Sequence, residues 1–185
     1  EPTSEVDRQA LEWGRGELRP AWEKAAESIR SKASVSFGNL GERLEASQRA
    51  LSPSDFGFHN ALVAEDGRLR FVDFEYAGWD DPAKTVCDFF CQPAVPVPWE
   101  LLDMFMGRMW EAFPAGGGLR RRVAMVLPAH AFKWCCILLN DFLPVGSRRR
   151  AFAGLAEDEP RRKAEQLAKA RAALKRLGEL AKVVG

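Results

Sequence analysis

The 185-residue chain reads as a mainly α-helical fold with one small β-hairpin. Three observations predict this. Apolar residues recur at three- and four-residue steps through most of the chain. A β signal occurs once, around Asp66-Gly67. The stretch 119–143 is apolar on nearly every side, as a central buried helix is. Hydrophobic residues make up 46% and charged residues 29%, a globular balance, and the length suits a single unit over residues 1–185.

The charge and cysteine pattern excludes several function classes. A net charge of +1 removes the electrostatic footprint of a dedicated nucleic-acid binder. Lys133 interrupts the longest apolar run, so no membrane span is expected. The polar, acidic start is no signal peptide, and a first residue other than Met fits a processed chain or a fragment. Cys87 and Cys91 are one helical turn apart, Cys135 and Cys136 are adjacent, and no C-x-x-C pair exists. That spacing fits buried, reduced thiols better than a disulfide framework or a zinc site, and gives a cytoplasmic address.

Taken in order, Leu11, Leu18, Trp22, Ala25 and Ile29 form an amphipathic stripe, with Pro20 either kinking one helix or opening a second. Gly38 and Gly41 bracket a break, and residues 42–50 suit a further short helix. After the Ser52–Asp55 loop, Ala61–Ala64 and Leu69–Phe74 flank Glu65-Asp66-Gly67-Arg68 as a hairpin. Helices follow near 82–92, 100–113, 119–143 and 159–182, separated by Pro93/Pro96/Pro98, Gly116–Gly118 and the turn from Pro144 to Gly146. Trp79 and the Met104/Met106/Met109 group read as core, and the Arg120–Arg122 and Arg148–Arg150 triplets as solvated faces. The last helix carries one docking stripe, Leu167, Ala170, Leu174, Leu177 and Ala181.

Chemistry concentrates in 51–76. Asp55 and Asn60 are five apart in a loop, and Asp73 ends the second hairpin strand. A two-residue turn centred on Asp66-Gly67 opposes Asn60 to Asp73, placing an amide oxygen and a carboxylate side by side. Such a pair suits Mg²⁺, which is commonly held by one or two carboxylates plus substrate phosphates, and leaves Asp55 free as a base. Protein-kinase-type phosphoryl transfer uses the same layout. Asp55-Phe56-Gly57 also spells D-F-G, but a metal-binding Asp there needs a catalytic Asp upstream, and none lies between Asp7 and Asp55. Glu75, Asp80 and Asp88 are further candidate substrate or secondary groups. Asp80 and Asp81 equally suit capping of the helix at Pro82. His59 reads as a loop-ordering hydrogen bonder.

Over Leu51 to Pro93 the chain resembles the catalytic region of the aminoglycoside phosphotransferase and choline/ethanolamine kinase-like superfamily. Ser54-Asp55 through Asn60 is similar to its H-G-D-x-x-x-x-N block, and Val72-Asp73-Phe74-Glu75-Tyr76-Ala77-Gly78 to its I-D-F-E strand end. The resemblance implies the C-terminal lobe of a protein-kinase-like phosphotransferase fold. Residues 51–76 would be its catalytic loop and metal hairpin, and 80–185 its helical substrate side. It implies ATP as phosphoryl donor, Asp55 as catalytic base, Asn60 and Asp73 as Mg²⁺ ligands, and a small-molecule hydroxyl substrate, cationic if the acidic residues line its pocket. No nucleic-acid or membrane partner is implied.

Three departures stand beside this. Pro53 occupies the place of the family's His, and the family's later Asp falls near Thr85 or Asp88 without a clean match. Nothing before Asp55 reads as strand, Lys24 and Lys32 lie in or just after helical pattern, and no glycine-rich phosphate loop is present. The N-terminal nucleotide lobe is therefore expected in cis upstream, from another chain, or not at all. In that last case the chain is a pseudokinase-type binding or regulatory module. A Mg²⁺-dependent phosphoesterase and a purely structural helical module are the remaining rivals.

Overall fold

The computed structural model describes residues 2–36, 43–113, 118–143 and 159–184. Its first rod begins at α1 (Glu5–Trp13), where the Ser4 hydroxyl accepts from the Asp7 N–H and Glu5 and Asp7 complement the helix dipole. The rod passes through a π-helical turn, Gly14–Leu18, into α2 (Arg19–Ser36). The sequence suggested a kink or a second helix at Pro20. Instead a wider turn precedes the proline, where its ring would crowd the carbonyl one turn back and its missing N–H breaks the ladder.

The helix expected over 42–50 is not formed in its described part. That part holds a 3₁₀ turn, Ala46–Gln48, followed by β1 (Ala50–Ser52). β1 pairs antiparallel with β4 (Gly78–Asp80), Ala50 opposite Asp80. This long-range ribbon has no sequence signature. It clamps together the chain entering and leaving the region of Asp55 and Asp73.

The hairpin is present, as β2 (Ala61–Val63) and β3 (Leu69–Phe71), but its register is one residue from the expected one. Ala61 opposes Phe71 and Val63 opposes Leu69. The loop has three residues, Glu65-Asp66-Gly67, closed by Ala64 N–H to Arg68 O and Gly67 N–H to Ala64 O, both 2.9 Å. Gly67 takes φ 77°, the left-handed position that such a loop requires and glycine supplies.

α3 (Pro82–Cys91) starts on Asp81, whose side chain accepts from the Ala83 N–H at 2.8 Å, with Pro82 in the first helical turn. Apart from Lys84, every residue of α3 is buried. A 3₁₀ turn (Trp99–Leu101) leads to α4 (Leu102–Ala112). α5 (Leu119–Leu138, with Pro128 inside it) runs on as a 3₁₀ turn to Phe142, and α6 (Glu159–Val184) closes the fold. α5 is the shared wall of two cores. One joins it to α3 and α4 through Phe89, Phe90, Trp99, Met106 and Leu127. The other joins it to α1 and α6 through Trp13, Phe132, Cys135, Leu167 and Ala170. Contrary to the reading based on Lys133, Leu119–Phe142 is long and apolar enough to cross a bilayer by length and composition; in this fold it packs between helices.

Two polar locks hold the ends. Lys163 of α6 donates to Asp7 of α1 at 3.0 Å and pairs with Glu159 at 2.9 Å. Burial would raise the Asp7 carboxyl, but hydrogen bonds from Lys163, Thr3 and Ser4 outweigh it and hold the group well below the usual carboxylate range. Arg176 stacks 4.4 Å from the centre of the Trp99 ring and donates to the Phe90 and Val97 carbonyls.

Four surface readings change. Trp79 is 72% exposed and Met104 61% exposed, so neither is core. Arg122 is buried and donates to the Asp81 carboxylate at 2.8 and 3.1 Å, so the first arginine triplet is not uniformly solvated. Cys136 is exposed, whereas Cys87, Cys91 and Cys135 are buried and all four thiols are free. The expectations for Gly38, Gly41, Gly116, Gly117, Pro144–Gly146 and Arg148–Arg150 lie outside the described residues, as does the Ala181 side chain.

Candidate active site

The loop leaving β1 turns sharply at Ser54, which adopts φ 70°, and presents Asp55. A 3₁₀ turn over Phe58–Asn60 then folds two side chains back onto that carboxylate. His59 Nε2 lies 3.2 Å from Asp55 Oδ1. The Asn60 side-chain amide donates to the Asp55 carbonyl at 2.9 Å and reaches Oδ2 at 3.4 Å. His59 Nδ1 is buried without a partner, so the tautomer protonated on Nε2 donates to Asp55 and leaves a lone pair, not an N–H, unsatisfied. The ring sits edge-on to Trp134, centroids 6.3 Å apart. With 41% of its side chain exposed against 18% for His59, Asp55 is steered from behind and open in front.

Gly57 makes this possible. A Cβ there would lie 2.6 Å from His59 Nδ1 and 2.8 Å from Gln92 Cγ. Gly57→Ala should push the imidazole off Asp55 and cost about 1–3 kcal/mol by overpacking. A thermal melt together with the His59 ring resonances checks both effects. Phe56 anchors the loop from beneath, between Phe71 of the hairpin (4.7 Å) and Phe89 of α3 (5.1 Å).

The structure does not oppose Asn60 to Asp73. The last ladder bond runs from Val72 N–H to Asn60 O at 2.9 Å, and Asp73 follows one residue later. The three-residue loop causes this shift. By strict alternation a one-residue slip sends a side chain to the other face, but Asp73 adopts φ 63° and leaves the strand geometry. Asn60 and Asp73 both lie at the open end of the hairpin, Asp73 one residue past the Val72 that bonds Asn60. Asp73 is exposed and, among the described residues, has no hydrogen-bond or ion-pair partner. Asn60, its nitrogen engaged with Asp55, keeps Oδ1 as an acceptor. Ser54 and Asp73 are the non-glycine positive-φ residues of the described chain, and both border Asp55 or Asn60. Left-handed backbone disfavours L-residues and gathers at functional sites, Asp tolerating it better than most.

The outer acidic candidates separate. Glu75 is exposed without a partner among the described residues. Asp81 caps α3 while holding Arg122, as the capping reading expects, whereas Asp80 Oδ1 accepts from the Asp81 N–H at 2.8 Å, outside the helix. Asp88 is not a substrate wall. It is 1% exposed and surrounded by Lys84 (2.5 Å), Lys133 (2.8 Å) and His130 (3.3 Å). Burial would raise its carboxyl; the nearby His130 and the hydrogen bonds from Lys133 and Lys84 outweigh it and lower the group to about 2. Lys84 also donates to the Ser54 carbonyl at 3.2 Å, so Asp88 steadies the turn that carries Asp55. Lys84 stands four residues before Asp88, a legible helix pair; His130 and Lys133 arrive only through the packing of α5 on α3.

The buried thiols are not nucleophiles. Burial pushes Cys87 up, and Cys91 and Cys135 to about 12. Among the described residues no three His, Cys, Asp or Glu side chains gather into a cation cage. The candidate donors are Asn60 Oδ1, on a side chain that touches Asp55, and the Asp73 carboxylate at the end of the hairpin. That set fits a hard cation that keeps several waters and completes its shell with phosphate oxygens. The chain matches no family model, no curated protein and no solved structure, so the resemblance to small-molecule phosphotransferases rests on the residues between Leu51 and Pro93.

Proposed function

We propose that the chain is the C-terminal lobe of an ATP- and Mg²⁺-dependent phosphotransferase acting on a small-molecule hydroxyl. One observation carries this reading: a half-exposed Asp55 carboxylate, steered by His59 and Asn60, next to a hairpin end where Asp73 stands unpartnered. Asp55 takes the proton of the acceptor hydroxyl as its oxygen bonds to the γ-phosphorus and the bond to the β,γ-bridging oxygen breaks, releasing ADP. His59, as an Nε2–H donor, keeps the carboxylate aimed and does the orienting work that Pro53 cannot. Mg²⁺ held by Asn60 and Asp73 would neutralise phosphate charge, the usual source of catalysis in this chemistry.

The nucleotide lobe, in cis or on another chain, is part of the proposal. Half of the large exposed apolar side chains among the described residues fall between Leu51 and Trp79, including Leu62, Val63, Phe74 and Tyr76. A folded protein rarely leaves so many large apolar side chains of one region in water, and a β-rich lobe seated over the hairpin would cover some of them. A second reading, the pseudokinase-type binding module, draws on the absence of a strand-borne lysine or glycine-rich loop from this sequence.

Thermal unfolding with Mg²⁺, then Mg²⁺ with ADP, tests both readings. The transferase reading expects each addition to raise stability, by about 2.7 kcal/mol at a hundredfold excess over Kd, and expects Asp73→Ala to abolish the gain. Stabilisation by metal alone, unaffected by ADP, favours the binding module. No response to either counts against the site.

A further inference from the structure

We infer that the groove between α2, α4, α5 and α6 is a binding site for a free amphipathic organic anion, an acyl-chain carboxylate in type. The groove encloses about 830 Å³, within the range of small-molecule sites, and lies apart from Asp55. Its walls are apolar: Ala25 of α2, Val123, Leu127 and Phe132 of α5, and Leu174 and Leu177 of α6. Its charge is concentrated in four cations, Lys24, Lys32, Arg120 and Arg121, against a single acid, Asp103. Asp103 is already taken by Arg120 at 2.6 Å, and Lys24, Lys32 and Arg121 have no acidic partner among the described residues.

The cations are not spread evenly. Trp22, at the start of α2, packs edge-on against Phe132 with ring centroids 5.4 Å apart. From that contact α2 lines the groove forward to Lys32 while α5 lines it back to Arg120. The two helices therefore run antiparallel along it, and Lys32 arrives at the Arg120–Arg121 end. At a rise of 1.5 Å per residue the lined stretch of α2 is about 16 Å long. Three of the four cations, Lys32, Arg120 and Arg121, thus gather at one end, and the walls from there toward Phe132 are apolar apart from Lys24 near Trp22. The cationic end is also the start of α5, which has no side-chain cap and no acid in its first turn. Positive side chains there oppose the helix dipole, and an anion would relieve them. A single-headed anion with a long apolar body matches this polarity; a neutral lipid would leave the cations unanswered, and an inorganic anion the walls.

Dodecanoate is the probe, titrated below its micellar concentration and followed by Trp fluorescence and by displacement of 1-anilinonaphthalene-8-sulfonate. The expected result is saturable binding of one dodecanoate per chain, at least tenfold tighter than dodecyltrimethylammonium, with no competition from acetate. Lys32→Glu/Arg121→Glu, at two exposed positions without acidic partners, should weaken dodecanoate at least tenfold and erase the preference for the anion. Ala124→Phe, which fills the groove from an exposed wall position, should block the anion and the cation alike. Equal affinity for the two dodecyl compounds, no change in either variant, or binding only to lipid vesicles would overturn the inference. Because Asp55 and Asp73 are untouched, failure here leaves the phosphotransferase reading where it stands.

Discussion

Asp88→Asn should destabilise the fold by about 3–5 kcal/mol, the usual cost of breaking a buried ion pair and leaving its partner behind. Lys84, Lys133 and His130 converge on this one carboxylate, which is 1% exposed. A neutral amide keeps the size and loses the charge, leaving two ammonium groups facing each other in a part-buried setting. The same carboxylate sets an acid limit. Its folded pKa of about 2 lies below the ordinary 3.8, so its contribution is present above about pH 4 and is lost as pH falls through 2. The difference corresponds to about 2 kcal/mol. Urea unfolding at pH 7, 4 and 2 should show the wild type losing this increment over the last step, while Asp88→Asn starts low and loses less. An unchanged midpoint at pH 7 would mean that the cluster is not buried as described. Lys84 also holds the Ser54 carbonyl, so loss of Asp88 should loosen the Asp55 loop before global unfolding.

Asp55→Asn should lower phosphoryl transfer from ATP by about 10²–10⁴-fold in the protein together with its nucleotide lobe, the range for removing a positioned general base. The substitution keeps the Asn60 contact to the backbone carbonyl and removes the charge that His59 steers. Stability should move by less than for Asp88→Asn, since Asp55 is half-exposed where Asp88 is buried, and Mg²⁺ binding should survive because the proposed ligands are elsewhere. Transfer to a panel of amino alcohols and amino sugars, measured with labelled ATP, separates chemistry from binding: kcat falls and KM stays.

Much of the helical frame was legible because its signals are local. Asp81-Pro82 announces the start of α3, the all-apolar surface of α5 announces a central position, and the Leu167/Ala170 stripe announces docking. The hairpin was legible as a hairpin, but its register was not. Asp66-Gly67 suits both a two-residue and a three-residue loop, and the choice decides which residue faces Asn60. The β1–β4 ribbon is three residues a side, too short for alternation to show, and joins positions as far apart as Ala50 and Asp80. Trp79 read as core because large aromatics usually are, yet it lies on that ribbon, facing water. In the site, Asp55 and Asn60 were legible from spacing. The support behind them, from Lys84, His130 and Lys133, depends on helix packing that no local pattern reports.

In the proposed site Asn60 and Asp73 hold a divalent ion near Asp55. Amide spectra of the protein titrated with Mn²⁺ in the presence of ADP test it most directly, since a paramagnetic ion broadens only its neighbours. The expected broadening centres on residues 55, 60 and 73, is displaced by Mg²⁺ and is lost in Asp73→Ala. Broadening centred on other carboxylates, or unchanged when Asp73 is removed, would contradict it.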